Sequence, residues 1–224
     1  MTLVIAIDGP SGSGKSTVSK GIADKLSLDY LDTGAMYRSA TWWCLHNNID
    51  LSDETRVIEA VQSMPLDMPL DPNNQTIICD NHDITTEIRS SELTKQVSTL
   101  SSLMPVRDEL IKRQKDIINA SKKGIILEGR DTTTVVAPKA PVRILLTASE
   151  EERLKRRSLE TRGSDDAATL QATRQEVIER DKKDSYVNNF ITASDGVHTI
   201  DSSSMSIDDV LDTILQLVKN QKKD

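Results

Sequence analysis

A glycine-rich run near the start of the chain ends in a lysine and two hydroxyl residues, and this run is the first candidate for chemistry. Residues 9–17 fit the pattern G-x-x-x-x-G-K-[ST] at every fixed position. Glycines let the backbone curl so that successive N–H groups point at phosphate oxygens, and the helix that follows presents its N-terminus to the same anion. The pattern predicts a phosphate loop made up of Gly9, Pro10, Ser11, Gly12, Ser13, Gly14, Lys15, Ser16 and Thr17.

Two side chains of this loop have the chemistry that a triphosphate and its metal ion need. Lys15 carries a mobile positive charge for the β- and γ-phosphates, and the Ser16 hydroxyl is short enough to reach a Mg²⁺ that bridges them. Thr17 and Ser13 are expected to supply capping hydrogen bonds. The apolar run at residues 3–7 and the amphipathic pattern after the loop favour the strand–loop–helix context over a chance glycine-rich turn.

Acidic residues end two other predicted strands. Asp32 ends the short strand at residues 29–32, and Glu128 follows the buried strand at residues 125–127. Either carboxylate could hold Mg²⁺ through water, which is the usual duty of an acidic residue that ends a strand beside a phosphate loop. A solvated strand end would give the same pattern, so this interpretation stays open.

Two groups of arginines need a local explanation. The first group is Arg38, Arg107 and Arg130. Two of these arginines lie on or next to strand-end segments, where an arginine covers no obvious apolar surface. A guanidinium group suits phosphates and base edges. Arg153 and Arg157 share one face of a predicted helix together with Arg156.

The second group lies between a capping box at residues 149–152 and a polar break at residues 163–166, with another helix beyond. We expect residues 153–180 to form an arginine-rich lid that closes over a transferring phosphoryl group. The alternative is that acids at the helix start and arginines at its end only complement the helix dipole.

The elements that must position these residues alternate between strands and helices. This order predicts an α/β fold in one domain over residues 1–224, with a mostly parallel sheet and helices on both faces. Ligands of such sheets lie beyond the carboxyl ends of the strands, so the phosphate loop and the segments after Asp32 and Glu128 should meet in one cleft. Residues 63–92 are rich in turns and short β segments and are interpreted as an inserted subdomain.

Composition excludes several classes of function. The chain has 224 residues and a net charge of −7, with a pI of about 5.1, so it has no broad basic surface for nucleic acid or an anionic membrane. Cys44, Cys79 and the three histidines lack the spacing of a structural metal site. No apolar stretch approaches membrane-spanning length and the N-terminal apolar run has no basic preamble, so we expect a cytoplasmic protein.

Taken in order, these residues resemble the bacterial cytidylate kinases, a branch of the nucleoside monophosphate kinases. The resemblance spans nearly the whole chain and rests on residues 7–12, 31–38, 105–107, 129–131, 134–136 and 179–181. It implies a P-loop NTPase-type fold that transfers a phosphoryl group from ATP, with Mg²⁺, to CMP or dCMP. It also implies that the insertion binds the acceptor, that the lid closes over both nucleotides, and that the protein is a monomer.

The resemblance also assigns roles to individual residues. The lid arginines that meet the transferring phosphate would be Arg153 and Arg157, which with Lys15 make up the catalytic set. Asp32 is counted among the acceptor-binding residues. The phosphate of the acceptor would be held by Thr33, Tyr37, Arg38 and Arg130. Its cytosine would be read by Ser98, Arg107 and Asp131, and its sugar hydroxyls would be bound by Arg180 and Asp184.

The chemistry of the base supports one of these assignments. Cytosine has an amino donor at N4 and acceptors at N3 and O2, so a carboxylate at N4 and a guanidinium at N3 complement it. We assign these places to Asp131 and Arg107. No catalytic histidine is required, because the acceptor phosphate is already an anionic nucleophile and catalysis reduces to positioning and electrostatics.

The sequence departs from the family pattern at two single positions and in the run at residues 188–191. Thr133 stands where the family usually has glycine, and Val187 stands where an arginine is typical. An acceptor contact is therefore either missing or supplied by a different arginine.

Two other functions compete with the resemblance. A P-loop kinase for shikimate, gluconate or another nucleotide would share the architecture and differ in the base-reading residues. A regulatory GTPase would need the patterns [NT]-K-x-D and D-x-x-G, and neither occurs in the chain.

Overall fold

The structure is a computed structural model that describes residues 2–185 and 190–221. Within the last long helix before residue 186, the side chains of Glu176, Glu179, Arg180, Lys183 and Asp184 are not part of the description. The predicted sugar-binding residues Arg180 and Asp184 and the departure at Val187 therefore lie outside the described residues.

Strands and helices are interleaved along the described chain, in places as short runs of elements of the same kind. The strands are β1 (Val4–Asp8), β2 (Asp29–Asp32), β3 (Leu66–Asp67), β4 (Ile78–Cys79), β5 (His82–Asp83), β6 (Ile125–Gly129), β7 (Val142–Thr147) and β8 (His198–Asp201). The helices are α1 (Lys15–Leu26), α2 (Thr33–His46), α3 (Glu54–Ser63), α4 (Ser91–Ser101), α5 (Met104–Ala120), α6 (Glu150–Arg162), α7 (Ala167–Ser185) and α8 (Ile207–Gln221).

The main sheet has the strand order β2-β6-β1-β7-β8, and its described strand pairs are all parallel. Strand β1 lies in the middle, so the phosphate loop leaves the centre of the sheet. The register places Asp8 beside Gly129 and Asp32 beside Glu128. Three strand ends with polar residues therefore meet at one edge of the sheet.

Helices cover both faces of this sheet, as the alternation of strands and helices predicts. In β1, Ile5 and Ile7 are fully buried in a core that includes residues of α1 and α8. Ala6 points to the other face, where it is buried in a core with Met36 of α2 and Ile111 of α5. Because side chains alternate along a strand, one short apolar run fills both cores.

The predicted insertion at residues 63–92 contains a small antiparallel sheet with the strand order β3-β4-β5. Its buried Ile77 and Cys79 belong to a core shared with α2, α3 and α4. Residues 63–92 are therefore anchored through apolar contacts to the helices that follow β2.

Helices α6 and α7 form the region predicted as a lid. The Ser149 hydroxyl accepts a hydrogen bond from the Glu152 N–H at the start of α6, and the helix ends at Gly163 in a left-handed conformation. Leu154 and Val177 are buried, one on each helix of the pair. Among the described residues, no helix is long and apolar enough to cross a membrane.

Candidate active site

The phosphate loop packs closely against two neighbouring segments, which explains two of its glycines. A Cβ atom on Gly9 would lie 2.0 Å from the carbonyl oxygen of Leu146 in β7. Gly12 has φ +76°, and a Cβ there would lie 2.3 Å from the carbonyl oxygen of Arg153 in α6. The loop is thus fitted between β7 and the first turn of the lid region.

The start of α1 resembles an anion site more than a capped helix end. Its N-cap is Gly14, which makes no side-chain capping hydrogen bond. The Ser13 hydroxyl is buried and has no hydrogen-bond partner among the described residues, so the predicted capping by Ser13 is wrong. Without a side-chain cap, the first N–H groups of α1 are left to water or to a bound anion.

Lys15 folds back over the loop. Its ammonium group donates a hydrogen bond of 3.0 Å to the carbonyl oxygen of Pro10. It also lies near enough to Glu128 to favour the ionised carboxylate there. The charge is therefore held at the mouth of the loop, where phosphates would bind.

Glu128 lies buried beside the loop and is only 4% exposed. It accepts a hydrogen bond of 2.8 Å from the Tyr30 hydroxyl. Burial raises the pKa of Glu128, and the neighbouring Asp32 raises it further, while Lys15 and the Ser16 hydroxyl oppose the shift. The ionised carboxylate is thus costly here in the absence of a further cation.

Asp32 also has a structural role. Its carboxylate accepts a hydrogen bond of 2.9 Å from the Ala35 N–H and so caps α2, and it pairs with Arg89 at 3.3 Å. Together with Ser16 and Glu128, it is a hard oxygen donor of the kind that Mg²⁺ prefers. The described residues contain no cluster of three or more histidine, cysteine or acidic side chains arranged to hold a metal ion.

Three of the four predicted acceptor-phosphate residues lie on α2, and the fourth, Arg130, follows β6. The Thr33 hydroxyl donates 2.7 Å to the carbonyl oxygen of Glu128, which ties α2 to β6. The Tyr37 hydroxyl is buried and has no hydrogen-bond partner among the described residues. Arg38 is buried and donates to the carbonyl oxygen of Ile88 and to the hydroxyl of Thr94, each at 2.8 Å. Arg38 therefore holds the end of the insertion and α4 against α2.

Two of the three predicted base-reading residues, Arg107 and Asp131, are buried and contact each other. Arg107 of α5 donates a hydrogen bond to the Asp131 carboxylate, and its guanidinium lies 5.9 Å from the centre of the Tyr37 ring. Burial raises the pKa of Asp131, whereas the Arg107 guanidinium lowers it. Ser98 is half-buried on α4, which packs against α5.

Asp181 of α7 joins the lid region to the loop. Its carboxylate accepts hydrogen bonds from the Ser11 N–H at 3.1 Å, from Arg130 at 3.0 Å and from Arg153 at 2.6 Å. Arg153 also donates 3.0 Å to the carbonyl oxygen of Ser11. The residue patterns predicted no role for Asp181, although it belongs to the family-like run at residues 179–181.

Arg130 and the arginines of the lid region divide into two groups by what they contact. Arg130 and Arg153 both reach the phosphate loop, and the Arg130 guanidinium also lies 4.4 Å from the centre of the Phe190 ring. Arg157 instead pairs with Glu160 of its own helix at 2.9 Å. Arg156 donates to the hydroxyl and carbonyl oxygens of Ser202, at 2.9 and 2.8 Å. In this arrangement one of the two predicted lid arginines meets the loop.

Comparison with known proteins gives a consistent result along the chain. The sequence model of the cytidylate kinase family matches residues 5–220. A cytidylate kinase of Nocardia farcinica is 43% identical, with 98% of this chain and 94% of that protein aligned. One of Desulforamulus reducens is 42% identical, with 97% of each aligned, and one of Streptomyces avermitilis is 38% identical, with 98% and 94% aligned.

Solved structures support the fold. An uncharacterised protein from Eubacterium ventriosum superposes with a TM-score of 0.53 at 13% identity, covering 97% of this chain and 99% of that one. A Thermus thermophilus protein superposes with a TM-score of 0.51 at 17% identity, covering 98% and 97%. The family match over nearly all residues and the identities near 40% decide the assignment, and the chain belongs to the cytidylate kinase family.

Proposed function

We propose that the chain transfers the γ-phosphoryl group of ATP to CMP or dCMP, which yields ADP and CDP or dCDP. A phosphate oxygen of the acceptor attacks the γ-phosphorus, and the bond to the β–γ bridging oxygen breaks, so that the electron pair leaves with ADP. Membership of the cytidylate kinase family supports the reaction. The observation that carries it is the buried Arg107–Asp131 pair, joined through Arg130 to the phosphate loop.

The donor nucleotide occupies the phosphate loop. Backbone N–H groups of residues 9–17 and the N-terminus of α1 bind its phosphates. The Lys15 ammonium leaves the carbonyl oxygen of Pro10 and turns to the β- and γ-phosphates. The uncapped start of α1 supports this role, because a bound anion satisfies the first turn.

Mg²⁺ fits beside this loop. The Ser16 hydroxyl would bind the ion, and the Glu128 and Asp32 carboxylates would hold it through water. The raised pKa of Glu128 supports the placement, because a cation would offset the cost of a buried carboxylate. When bound, the ion neutralises charge on the β- and γ-phosphates and helps to orient them.

The acceptor binds across the strand ends from the phosphate loop, against the insertion at residues 63–92. Thr33, Tyr37, Arg38 and Arg130 hold its phosphate. The buried Tyr37 hydroxyl without a described partner supports this, because a polar group in such a place is costly until it finds a hydrogen bond.

The cytosine meets the Arg107–Asp131 pair and Ser98. The Asp131 carboxylate accepts from N4, and the Arg107 guanidinium donates toward N3. The family resemblance adds Arg180 and Asp184 for the sugar hydroxyls. The two base-reading groups already contact each other, so the pocket is arranged for the base before the base arrives.

The lid region at residues 153–180 closes over both nucleotides. Arg153 lies at the phosphate loop and needs only to exchange the Asp181 carboxylate for a phosphate. Arg157 must leave Glu160 to reach the transferring group. Both arginines then stabilise charge that develops in the transition state. We further infer that one chain holds the complete site, so a monomer is the active form.

A coupled assay of ADP release tests the assignment. ATP and Mg²⁺ are held constant while CMP, dCMP, UMP, AMP, GMP, shikimate and gluconate are offered in turn, with an acceptor-free reaction as the control. We expect CMP and dCMP to give the highest kcat/KM. Preference for AMP, for GMP or for either non-nucleotide would overturn the proposal.

A further inference from the structure

Asp8 is the last residue of β1 and is 2% exposed. One carboxylate oxygen accepts hydrogen bonds from the backbone N–H and the hydroxyl of Thr132, at 2.8 and 2.7 Å. The other accepts from the backbone N–H and the hydroxyl of Thr133, at 2.8 and 2.6 Å. Four donors from two consecutive residues thus satisfy a carboxylate that would otherwise be costly to bury.

These bonds fix the backbone of the next residue upstream, Asp131. The N–H of the Asp131–Thr132 peptide donates to Asp8, and the carbonyl of the same peptide accepts 2.8 Å from the Val135 N–H. Both ends of that peptide are therefore held. The Asp131 side chain is held separately by Arg107.

Asp8 and its neighbours also connect the acceptor side of the site to the donor side. Asp8 pairs with Gly129 in the sheet, and the residue after Asp8, Gly9, accepts a hydrogen bond through its carbonyl oxygen from Arg130. The start of the phosphate loop and residues 129–133 are thus locked to each other through the backbone and through Asp8.

We propose that Asp8 and the hydroxyls of Thr132 and Thr133 form a clamp that positions Asp131 and Arg130 to read the acceptor nucleotide. The clamp rests on the proposed function, since it acts on the acceptor only through these two residues. Thr133 takes the place where the family pattern has glycine, so this chain adds one hydroxyl to the Asp8 carboxylate. The three members are positioning residues and do not themselves touch the substrate.

The test is a substitution that removes the Thr133 hydroxyl and keeps the shape of the side chain. Thr133→Val leaves one Asp8 oxygen with the backbone N–H alone, so Asp131 gains freedom to move. We expect KM for CMP to rise about 5- to 20-fold, with kcat changed less than about threefold and KM for ATP unchanged. Thr133→Ser, which keeps the hydroxyl, should restore KM to within about twofold. Thr134→Val, at the exposed neighbouring residue, is the matched control and should behave as wild type.

A double-mutant comparison separates positioning from simple loss of stability. If the clamp acts through Asp131, Thr133→Val lowers the CMP-to-UMP ratio of kcat/KM in the wild-type background and leaves it unchanged in an Asp131→Asn background. A lower Tm with unchanged KM for CMP would overturn the clamp, and so would an effect of equal size in both backgrounds.

Two further outcomes are decisive. If Thr133→Val does not fold, Thr133→Gly removes the same hydroxyl with the residue that the family carries, and failure of both to fold would also overturn the proposal. A wild-type protein inactive toward CMP and dCMP would instead overturn the proposed function, which the clamp variants do not address.

Discussion

Arg107 and Asp131 form an ion pair inside the protein, with 6% of each side chain exposed. A pair of this kind gives little net stability, because both charges lose their hydration, but removing one partner is expensive. We propose that its value lies in recognition, since the carboxylate and the guanidinium together match the donor and acceptors of cytosine.

Asp131→Asn should lower the preference for CMP over UMP. Uracil turns a carbonyl oxygen toward Asp131, and two opposed acceptors in a desolvated pocket cost about 1–3 kcal/mol, or about ten- to a hundredfold in kcat/KM. An amide can turn its NH₂ toward that oxygen, so the ratio should narrow mainly through loss of CMP activity. Steady-state kinetics with CMP and UMP measure the ratio of their kcat/KM values. An unchanged ratio would show that Asp131 does not read the base.

Lys15→Met should abolish phosphoryl transfer and leave the fold intact. The substitution removes the charge at the mouth of the loop together with one hydrogen bond to the carbonyl oxygen of Pro10, and it disturbs no core contact. Activity should fall at least about a thousandfold, with a far-ultraviolet circular dichroism spectrum like that of wild type. Lys25→Met, at an exposed position in the last turn of α1, is the control. Activity of the Lys15 variant within tenfold of wild type would contradict the assignment.

Arg157→Ala should lower kcat far more than it raises KM for CMP. Arg157 pairs with Glu160 in the described arrangement, so its contact with phosphate would form only when the lid closes. We expect a loss of about tenfold to a hundredfold in kcat. Arg174→Ala breaks an exposed ion pair with Glu150 in the same region and serves as the control. Unchanged kcat and KM would leave the helix-dipole explanation in place.

Asp181→Asn should strengthen anion binding to the nucleotide-free protein. The Asp181 carboxylate accepts from the Ser11 N–H, Arg130 and Arg153, which are donors that a bound phosphate would use. An asparagine competes less well for two guanidinium groups, because it carries no charge. Calorimetric titration with pyrophosphate should give a Kd about three- to tenfold lower than that of wild type. If the variant binds pyrophosphate more weakly than wild type, with a higher Kd, then Asp181 orients these arginines for the ligand and does not compete with it.

Glu128→Gln should stabilise the nucleotide-free protein while it impairs catalysis. Burial raises the pKa of Glu128, so the folded protein binds a proton more readily than the unfolded chain does. Its carboxyl group therefore costs stability as the pH rises above the ordinary glutamate pKa of about 4.3. The glutamine variant lacks this destabilisation. A gain of about 1 kcal/mol in the free energy of unfolding would raise Tm by about 2–4 °C at pH 8, and the gain should vanish near pH 4.

Thermal unfolding at several pH values without nucleotide measures this difference. The glutamine oxygen can still accept the Tyr30 hydroxyl, so that contact is kept. The same variant should need more Mg²⁺ for half-maximal activity, if Glu128 holds the ion through water. A gain in Tm that is the same at pH 4 and pH 8 would show that ionisation of Glu128 is not its cause.

The parts of the fold that depend on short stretches of sequence were predicted well. The phosphate loop and the strands of the main sheet follow from contiguous patterns, because glycine, β-branched residues and alternating burial act within a few residues of one another. The expectation of a parallel sheet follows from the alternation of strands with helices. The capping by Ser13 was wrong, since its hydroxyl is buried and makes no hydrogen bond among the described residues.

The tertiary structure alone decided which distant groups meet. Asp181 lies 170 residues from Ser11 and Asp8 lies 124 residues from Thr132, yet each pair forms a hydrogen bond. No local pattern marks such contacts, because they depend on strand order, on register and on the packing of α7 over the loop. The sequence determined which chemical groups are present at the strand ends, and the three-dimensional fold determined which of them hold one another in place.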